Sequence, residues 1–282
     1  MQLLTAHNVR KETPLVTFVS VATGRYLDFW QNQISSAREY LDKSANLEFV
    51  LLTDQPNKVS QITKDLFSDT NWKLQIGIVP HQEWPFPTLY KFKHLIAHSE
   101  LLNADVVWHL DADMLFADQN VYRELIEASE EGKMVFVSHP GYFRLRGVKR
   151  ISLYLHAPIL LLKDIKMFLK ERGIGTWENS RKSRSFVESR KRVNYVCGGS
   201  WGGKRKSVLE FSHQTSERID ADFDLNIVAR FHDESHINWY KANYKCKTLE
   251  PSFCYEDSYA HLTSLKGKII AVNKSADLNW ER

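Results

Sequence analysis

No part of the 282-residue sequence approaches the run of about 20 apolar residues that a membrane-spanning helix needs. The opening residues Met1-Gln2-Leu3-Leu4-Thr5 also lack the pattern of a secretory signal. Both absences predict a soluble protein in a cytoplasm. Cysteine is scarce: Cys197, Cys246 and Cys254 are an odd number without C-x-x-C spacing, which argues against a disulfide framework or a zinc cluster and predicts ordinary thiols. There is no repeat and no low-complexity tract. What remains is a hydrophobic fraction of 43%, enough for a real core in one large α/β domain or two small ones, and nothing that implies an obligate protein partner.

Charge is unevenly spread. Between Arg144 and Arg192 there are 14 Lys or Arg against 4 Asp or Glu, net +10, while the rest carries 24 against 30, net −6. A basic region of this kind is a solvated face, a site for an anionic substrate, a contact for a phosphate-rich membrane surface, or a nucleic-acid patch.

The stretch around which the chain is organised is Asp105-Val106-Val107-Trp108-His109-Leu110-Asp111-Ala112-Asp113-Met114. Its β-branched and apolar run predicts a buried strand, with two carboxylates where the strand stops. In extended backbone Asp111 and Asp113 share a face and Ala112 turns away. Two oxygen ligands suit Mg²⁺ or Mn²⁺, which keep positions open for a diphosphate. An isolated D-x-D is also common in plain exposed loops.

Strands are expected at 15–22, 47–53, 73–79 and 133–138, and helices from about 26 to 41, from Leu89 to about Leu102 behind a Thr88 cap, and from Asn120 to Ser129. The alternation predicts an α/β fold with a largely parallel twisted sheet and ligands at the carboxyl ends of its strands. Residues 151–172 read as an added helix packed on the core or lying on a membrane, and 176–192 as a mobile loop. Tyr195-Val196-Cys197-Gly198-Gly199-Ser200-Trp201-Gly202-Gly203 suggests backbone brought close to something else. A helix is expected over 204–219 and another entered by Phe231-His232-Asp233-Glu234-Ser235-His236-Ile237-Asn238. His232 and His236 at i and i+4 invite a zinc reading, but the order is not H-E-x-x-H and no third ligand is evident.

In order, the blocks Val21-Ala22-Thr23-Gly24-Arg25-Tyr26, Thr53-Asp54-Gln55-Pro56, Leu110-Asp111-Ala112-Asp113, His139-Pro140-Gly141, Thr176-Trp177-Glu178, Gly198 to Gly203 and His232 to Asn238 resemble glycosyltransferase family 6, the group of the ABO blood-group transferases and α-1,3-galactosyltransferases. The resemblance implies a single GT-A-type catalytic domain over 1–282, with a helical insertion near 144–175 and a mobile tail from about 273. It implies a retaining, metal-dependent transfer of N-acetylgalactosamine or galactose from a UDP-sugar to the 3-hydroxyl of a galactose-terminated glycan.

Carried over block by block, Val21, Thr23 and Tyr26 would hold uridine. Asp111 would lie by the ribose and sugar and, with Asp113, serve a Mn²⁺ or Mg²⁺ ion on the diphosphate. Lys91 stands where the mammalian pattern has arginine, a point charge in place of a planar fork. Cys197, Gly198 and Gly199 would border the donor sugar, and the missing side chain at Gly199 would leave room for an acetamido group, favouring UDP-N-acetylgalactosamine over UDP-galactose. His139, Thr176 and Trp177 would meet the acceptor. Asp233 would hydrogen-bond the donor sugar, Glu234 would face its anomeric carbon beside the acceptor, and Lys274 would close over the pyrophosphate. Absence of the mammalian anchor and stem suggests a soluble microbial or viral member.

The competing readings are a nucleic-acid-binding protein that stacks bases on Tyr154, Phe168, Trp177 and Phe186, and a peripheral membrane protein docking through 151–172. The first leaves the aspartate pair and the His232 to His236 cluster unused, and no nucleic-acid partner is expected.

Overall fold

The structure is a computed structural model that describes residues 15–63, 65–145, 147–262 and 265–273. Lys274 and nearly all of the predicted mobile tail lie outside the described residues.

The chain opens with β1 (Val16–Val21), α1 (Tyr26–Tyr40), β2 (Leu47–Thr53), α2 (Pro56–Thr63), β3 (Lys73–Ile78) and α3 (Phe86–Ala97). It continues through β4 (Val106–Leu110), β5 (Met114–Phe116), α4 (Val121–Ser129) and β6 (Val135–Ser138) to a helical hairpin, α5 (Val148–His156) and α6 (Pro158–Glu171). Then come β7 (Val196–Lys204), α7 (Arg205–Phe223), α8 (His232–Asn243), β8 (Lys247–Leu249) and β9 (Ile269–Ala271).

Seven of these strands form one sheet in the order β3-β2-β1-β4-β7-β6-β8. The pairings β1 with β2, β1 with β4, β2 with β3 and β6 with β8 are parallel, and β7 runs antiparallel to both its neighbours. β5 and β9 make a separate two-stranded ribbon. This is the α/β, GT-A-type architecture expected from the sequence.

The central strands read as continuous apolar runs because helices cover both faces. Phe18, Phe49 and Trp108 pack with Trp30 and Ile34 of α1 and Leu125 of α4 on one side. Val19, Val50 and Val107 meet α3, α7 and α8 on the other. Leu89, Phe92 and Leu95 put one stripe of α3 on the sheet, and burial of each contributes about 1.5–3 kcal/mol.

Four expectations need correction. Helix α3 starts at Phe86, so Thr88 lies within its first turn, where its hydroxyl donates to the Pro85 carbonyl at 2.9 Å. Asp111, Ala112 and Asp113 lie in the turn between β4 and β5, not in extended backbone, and that turn is closed by Met114 N–H donating to the Asp111 carbonyl at 3.1 Å.

The segment 176–192 is irregular but tied down. Ser183 Oγ and Arg184 N–H both donate to the buried Asp222 carboxylate at 2.6 Å, and Arg192 donates to the carbonyls of Val187, Glu171 and Glu178. Its apolar and hydrogen-bonding groups fold inward, so it is not the free basic loop that its composition suggested.

Residues 151–172 are two helices, and no hydrophobic residue of either is buried. The hairpin therefore does not pack on the core through its apolar side.

Candidate active site

The carboxyl ends of β1 and β4, with α3 and the segment 81–84, enclose a cleft of about 660 Å³. Val21, Thr23, Tyr26, Lys91, Asp111 and Asp113, all singled out from the sequence, line it. So do His81 and Trp84, which were not.

Its first wall is the turn after β1. Gly24 N–H donates to Asp54 Oδ1 at 2.9 Å, while Gln55 Nε2 donates to the Gly24 carbonyl at 2.8 Å, so the second motif block holds the first. The Thr23 hydroxyl pairs with His81 Nδ1 at 3.0 Å. The opposite wall is the aspartate turn. Gln33 of α1, buried and also accepting from Ser20 Oγ, donates to the Asp111 carbonyl at 3.0 Å. Asp111 N–H donates to the Gly199 carbonyl at 2.8 Å.

The floor is Lys91. Its side chain is 2% exposed, and its ammonium lies 2.8 Å from Asp233 Oδ2, 3.2 Å from Asp111 Oδ1 and 3.1 Å from the Gly198 carbonyl. Burial disfavours the ammonium, but Asp111 and Asp233 outweigh it and hold its pKa above the ordinary lysine value. A single cation thus joins three separate blocks: the aspartate turn, the glycine strand and the start of α8. His109 also reaches Asp111 Oδ1, at 3.1 Å from Nε2. Burial first, then the Lys91 charge, pushes its pKa down, so the ring is neutral.

Helix α8 is fixed by Asn238. Its amide accepts from Val196 N–H at 2.9 Å and donates to the Val196 carbonyl at 2.8 Å, clamping the helix to the start of β7. One turn earlier, Glu234 Oε2 consequently accepts from Gly198 N–H at 3.0 Å. Burial is the main reason that the Glu234 carboxyl is pushed up to about 8. A hydrogen bond from Tyr195 opposes the shift and the charge of Asp233 adds to it. Part of Glu234 still opens to solvent, which screens and trims that shift.

Gly198 and Gly199 are where they are because side chains fill the space beside them. A Cβ at Gly198 would sit 2.8 Å from Asp233 Oδ2, and one at Gly199 would sit 2.4 Å from Met114 Cε and 2.9 Å from Asp111 Oδ2. A methyl at Gly199 would therefore press on the aspartate turn first, which changes the expected steric reading of that position. The Cys197 side chain faces away into the core, against Cys254 and Phe253.

His139, Thr176 and Trp177 gather around Tyr195, a residue given no role from sequence. The Tyr195 hydroxyl donates to the Thr176 carbonyl at 3.2 Å, and its ring meets Trp177 edge-on at 5.0 Å and His139 at 6.0 Å. Burial pushes His139 down to about 4. Trp177 is 1% exposed, so it supports Tyr195 from beneath and offers no stacking face. Arg144 and Arg192 are likewise turned inward, which removes part of the surface on which the nucleic-acid reading relied. His232 packs against Trp84 at 5.1 Å while His236 lies 3.6 Å from Asp222, so the two histidines face different partners.

Among the described residues no three His, Cys, Asp or Glu side chains converge as a metal site. The donor set on the cleft wall is nevertheless all oxygen. Asp111 and Asp113 both line the cleft. Two carboxylates of this kind fit a hard cation that takes its other ligands from a bound diphosphate and water.

The family model described as Glycosyltransferase family 6 matches residues 161–282. The chain is 24% identical over 249 residues to human globoside alpha-1,3-N-acetylgalactosaminyltransferase 1, covering 87% of this chain and 62% of the relative. It is 24% identical over 264 residues to the rat histo-blood group ABO system transferase 1, covering 90% and 65%. With the O-antigen biosynthesis glycosyltransferase WbnI of Escherichia coli it shares 19% over 267 residues, covering 94% and 97%. The chain thus spans less than two thirds of the length of those two mammalian relatives. On this match and these relatives, the chain is similar to glycosyltransferase family 6.

Proposed function

We propose that the protein is a retaining glycosyltransferase that moves N-acetylgalactosamine, with galactose as second donor, from a UDP-sugar in α-1,3 linkage to a galactoside. The observation that carries this reading is the Lys91 junction, which ties Asp111, Gly198 and Asp233 together at the floor of the cleft with Glu234 at its edge. Similarity to the human globoside alpha-1,3-N-acetylgalactosaminyltransferase 1 supports the linkage and the donor.

Val21, Thr23 and Tyr26 form the wall that takes the nucleoside, and Asp111 and Asp113 would hold a Mn²⁺ or Mg²⁺ ion. Such an ion, when bound, offsets the charge that grows on the departing diphosphate. Asp233, held by Lys91, is an acceptor for sugar hydroxyls. His139 and Tyr195 border the space beside Glu234 on the side assigned to the acceptor. As the sugar–phosphate bond breaks, the sugar gains oxocarbenium character. Glu234 sits in a recess that makes its negative charge costly until a positive partner arrives, so its interaction strengthens in the transition state.

The test is to incubate the protein with Mn²⁺, a panel of UDP-sugars and simple galactosides, and to measure UDP release with the linkage and anomeric configuration of the product. Galactoside-dependent release from UDP-N-acetylgalactosamine with an α-1,3 product is expected. Turnover confined to another nucleotide sugar, or an inverted product, overturns the reading.

A further inference from the structure

The α5–α6 hairpin is built inside out. On α6, Leu160, Asp164, Met167 and Glu171 follow helical spacing and form the inward face, and two of the four are carboxylates that are among the buried residues. Asp164 receives Nε and Nη2 of Arg144 at 2.7 Å each and the Tyr154 hydroxyl at 2.7 Å. Seven residues on, Glu171 receives Arg230 Nη1 at 3.0 Å and Asn179 Nδ2 at 3.0 Å. These partners come from outside α6 and fix its rotation.

The remaining surface is therefore held outward, and much of it is apolar: Leu162 is 66% exposed, Leu169 75% and Phe168 60%. Val148, Ile151 and Leu155 continue it on α5 at i, i+3 and i+7. Lys163, Lys166 and Lys170 form a row along one flank, and none has a carboxylate partner among the described residues. The 14 residues of α6 extend about 21 Å, and among the described residues no helix is long and apolar enough to cross a membrane.

We propose that this hairpin lies flat on an anionic lipid bilayer, with the apolar face among the acyl chains and the lysine row against the headgroups. A second copy of the chain fits less well, because a self-complementary contact would set two basic regions of net +10 against each other. The hairpin is inserted between Gly141 and Thr176, next to the side assigned to the acceptor. On the proposed glycosyltransferase reading, on which this further step rests, the acceptor galactoside is carried on a lipid.

Flotation of the full chain with vesicles of phosphatidylcholine, alone or containing phosphatidylglycerol, tests the docking. Partition at least tenfold higher onto the anionic vesicles is expected, lost in Leu162→Glu/Leu169→Glu and lowered about 100-fold in Lys163→Ala/Lys166→Ala/Lys170→Ala. Equal partition of parent and variants, or none on either vesicle, overturns it. So does a dimer in light scattering that the glutamate pair converts to monomer. The same galactoside, free or lipid-anchored in vesicles, is then offered to parent and variants. The anchored form should raise kcat/KM at least tenfold for the parent only, with free-galactoside turnover equal in all as the folding control. Equal kcat/KM for the two forms with the parent overturns the lipid acceptor. Absence of turnover on the free galactoside counts against the proposed function, while the flotation result still judges the docking.

Discussion

Lys91 and Asp164 are both buried charges held by ion pairs, but the surfaces they leave exposed are opposite in kind. At the cleft, one cation is shared between Asp111 and Asp233, and Asp111 keeps 39% of its side chain open to solvent. The surface it leaves exposed is polar, suited to a cation and a diphosphate. At the hairpin, Asp164 and Arg144 satisfy each other at 5% and 6% exposure, and what remains outside is leucine and phenylalanine. Buried charge in the first region prepares chemistry; in the second it orients a surface. Glu171 with Arg230 repeats the second pattern.

The largest expected effect would break the cleft side of this comparison. Glu234→Gln should lower kcat by about 10³-fold or more while UDP affinity stays within a few-fold, because the missing charge matters mainly in the transition state. Turnover within a few-fold of the parent would make Glu234 structural. The raised carboxyl also predicts a pH signature. Between the unfolded carboxylate value near 4.5 and the folded value of about 8, the native state binds the extra proton, so its stability falls as pH rises through that window. E234Q removes that dependence, and its Tm advantage over the parent should be larger at pH 8 than at pH 5.

Next in size, Lys91→Met should cost about 3–5 kcal/mol of unfolding free energy, since it leaves two carboxylates facing each other without their cation. Denaturant unfolding measures this directly, and a loss below about 1 kcal/mol would mean that solvent already screens the junction. Asp113→Asn should lower activity about 100-fold with little change in Tm, and EDTA should do the same to the parent. Full turnover of metal-stripped enzyme would remove the ion from the reading.

The elements were legible where composition alone decides them. β1 and β2 are apolar runs because both faces of the sheet are covered, and α3 shows its buried stripe by period. What was not legible depends on distant partners. Glu48, the second residue of β2, is 1% exposed and satisfied by Thr17, Gln75 and Asn103 from other segments. The Lys91 junction joins residues as far apart as Asp111 and Asp233, so the motif blocks could be found separately but not their shared cation. Tyr195 was hidden because its role comes from contacts to Thr176, Trp177 and Glu234. The hairpin was the instructive miss. Its 3.6-residue period was visible, but period alone does not say which face turns inward; Arg144 and Arg230, outside both helices, decide that.

The smallest expected effect sharpens the same contrast. Leu162 and Leu89 are both leucines on helices, yet Leu162 is 66% exposed and Leu89 is 1% exposed. Leu89→Ala deletes methyl groups from the contact between α3 and the sheet and leaves a cavity, so it should cost about 2–5 kcal/mol. Leu162→Ser removes apolar surface that water already touches, and should change the unfolding free energy by less than about 0.5 kcal/mol. Parallel urea titrations of the two variants give the comparison. A loss of more than about 1 kcal/mol in Leu162→Ser would mean that the leucine is covered in solution, by another segment of the chain or by a second copy. In that case the ion pairs of Asp164 and Glu171 would not hold the apolar face open to solvent.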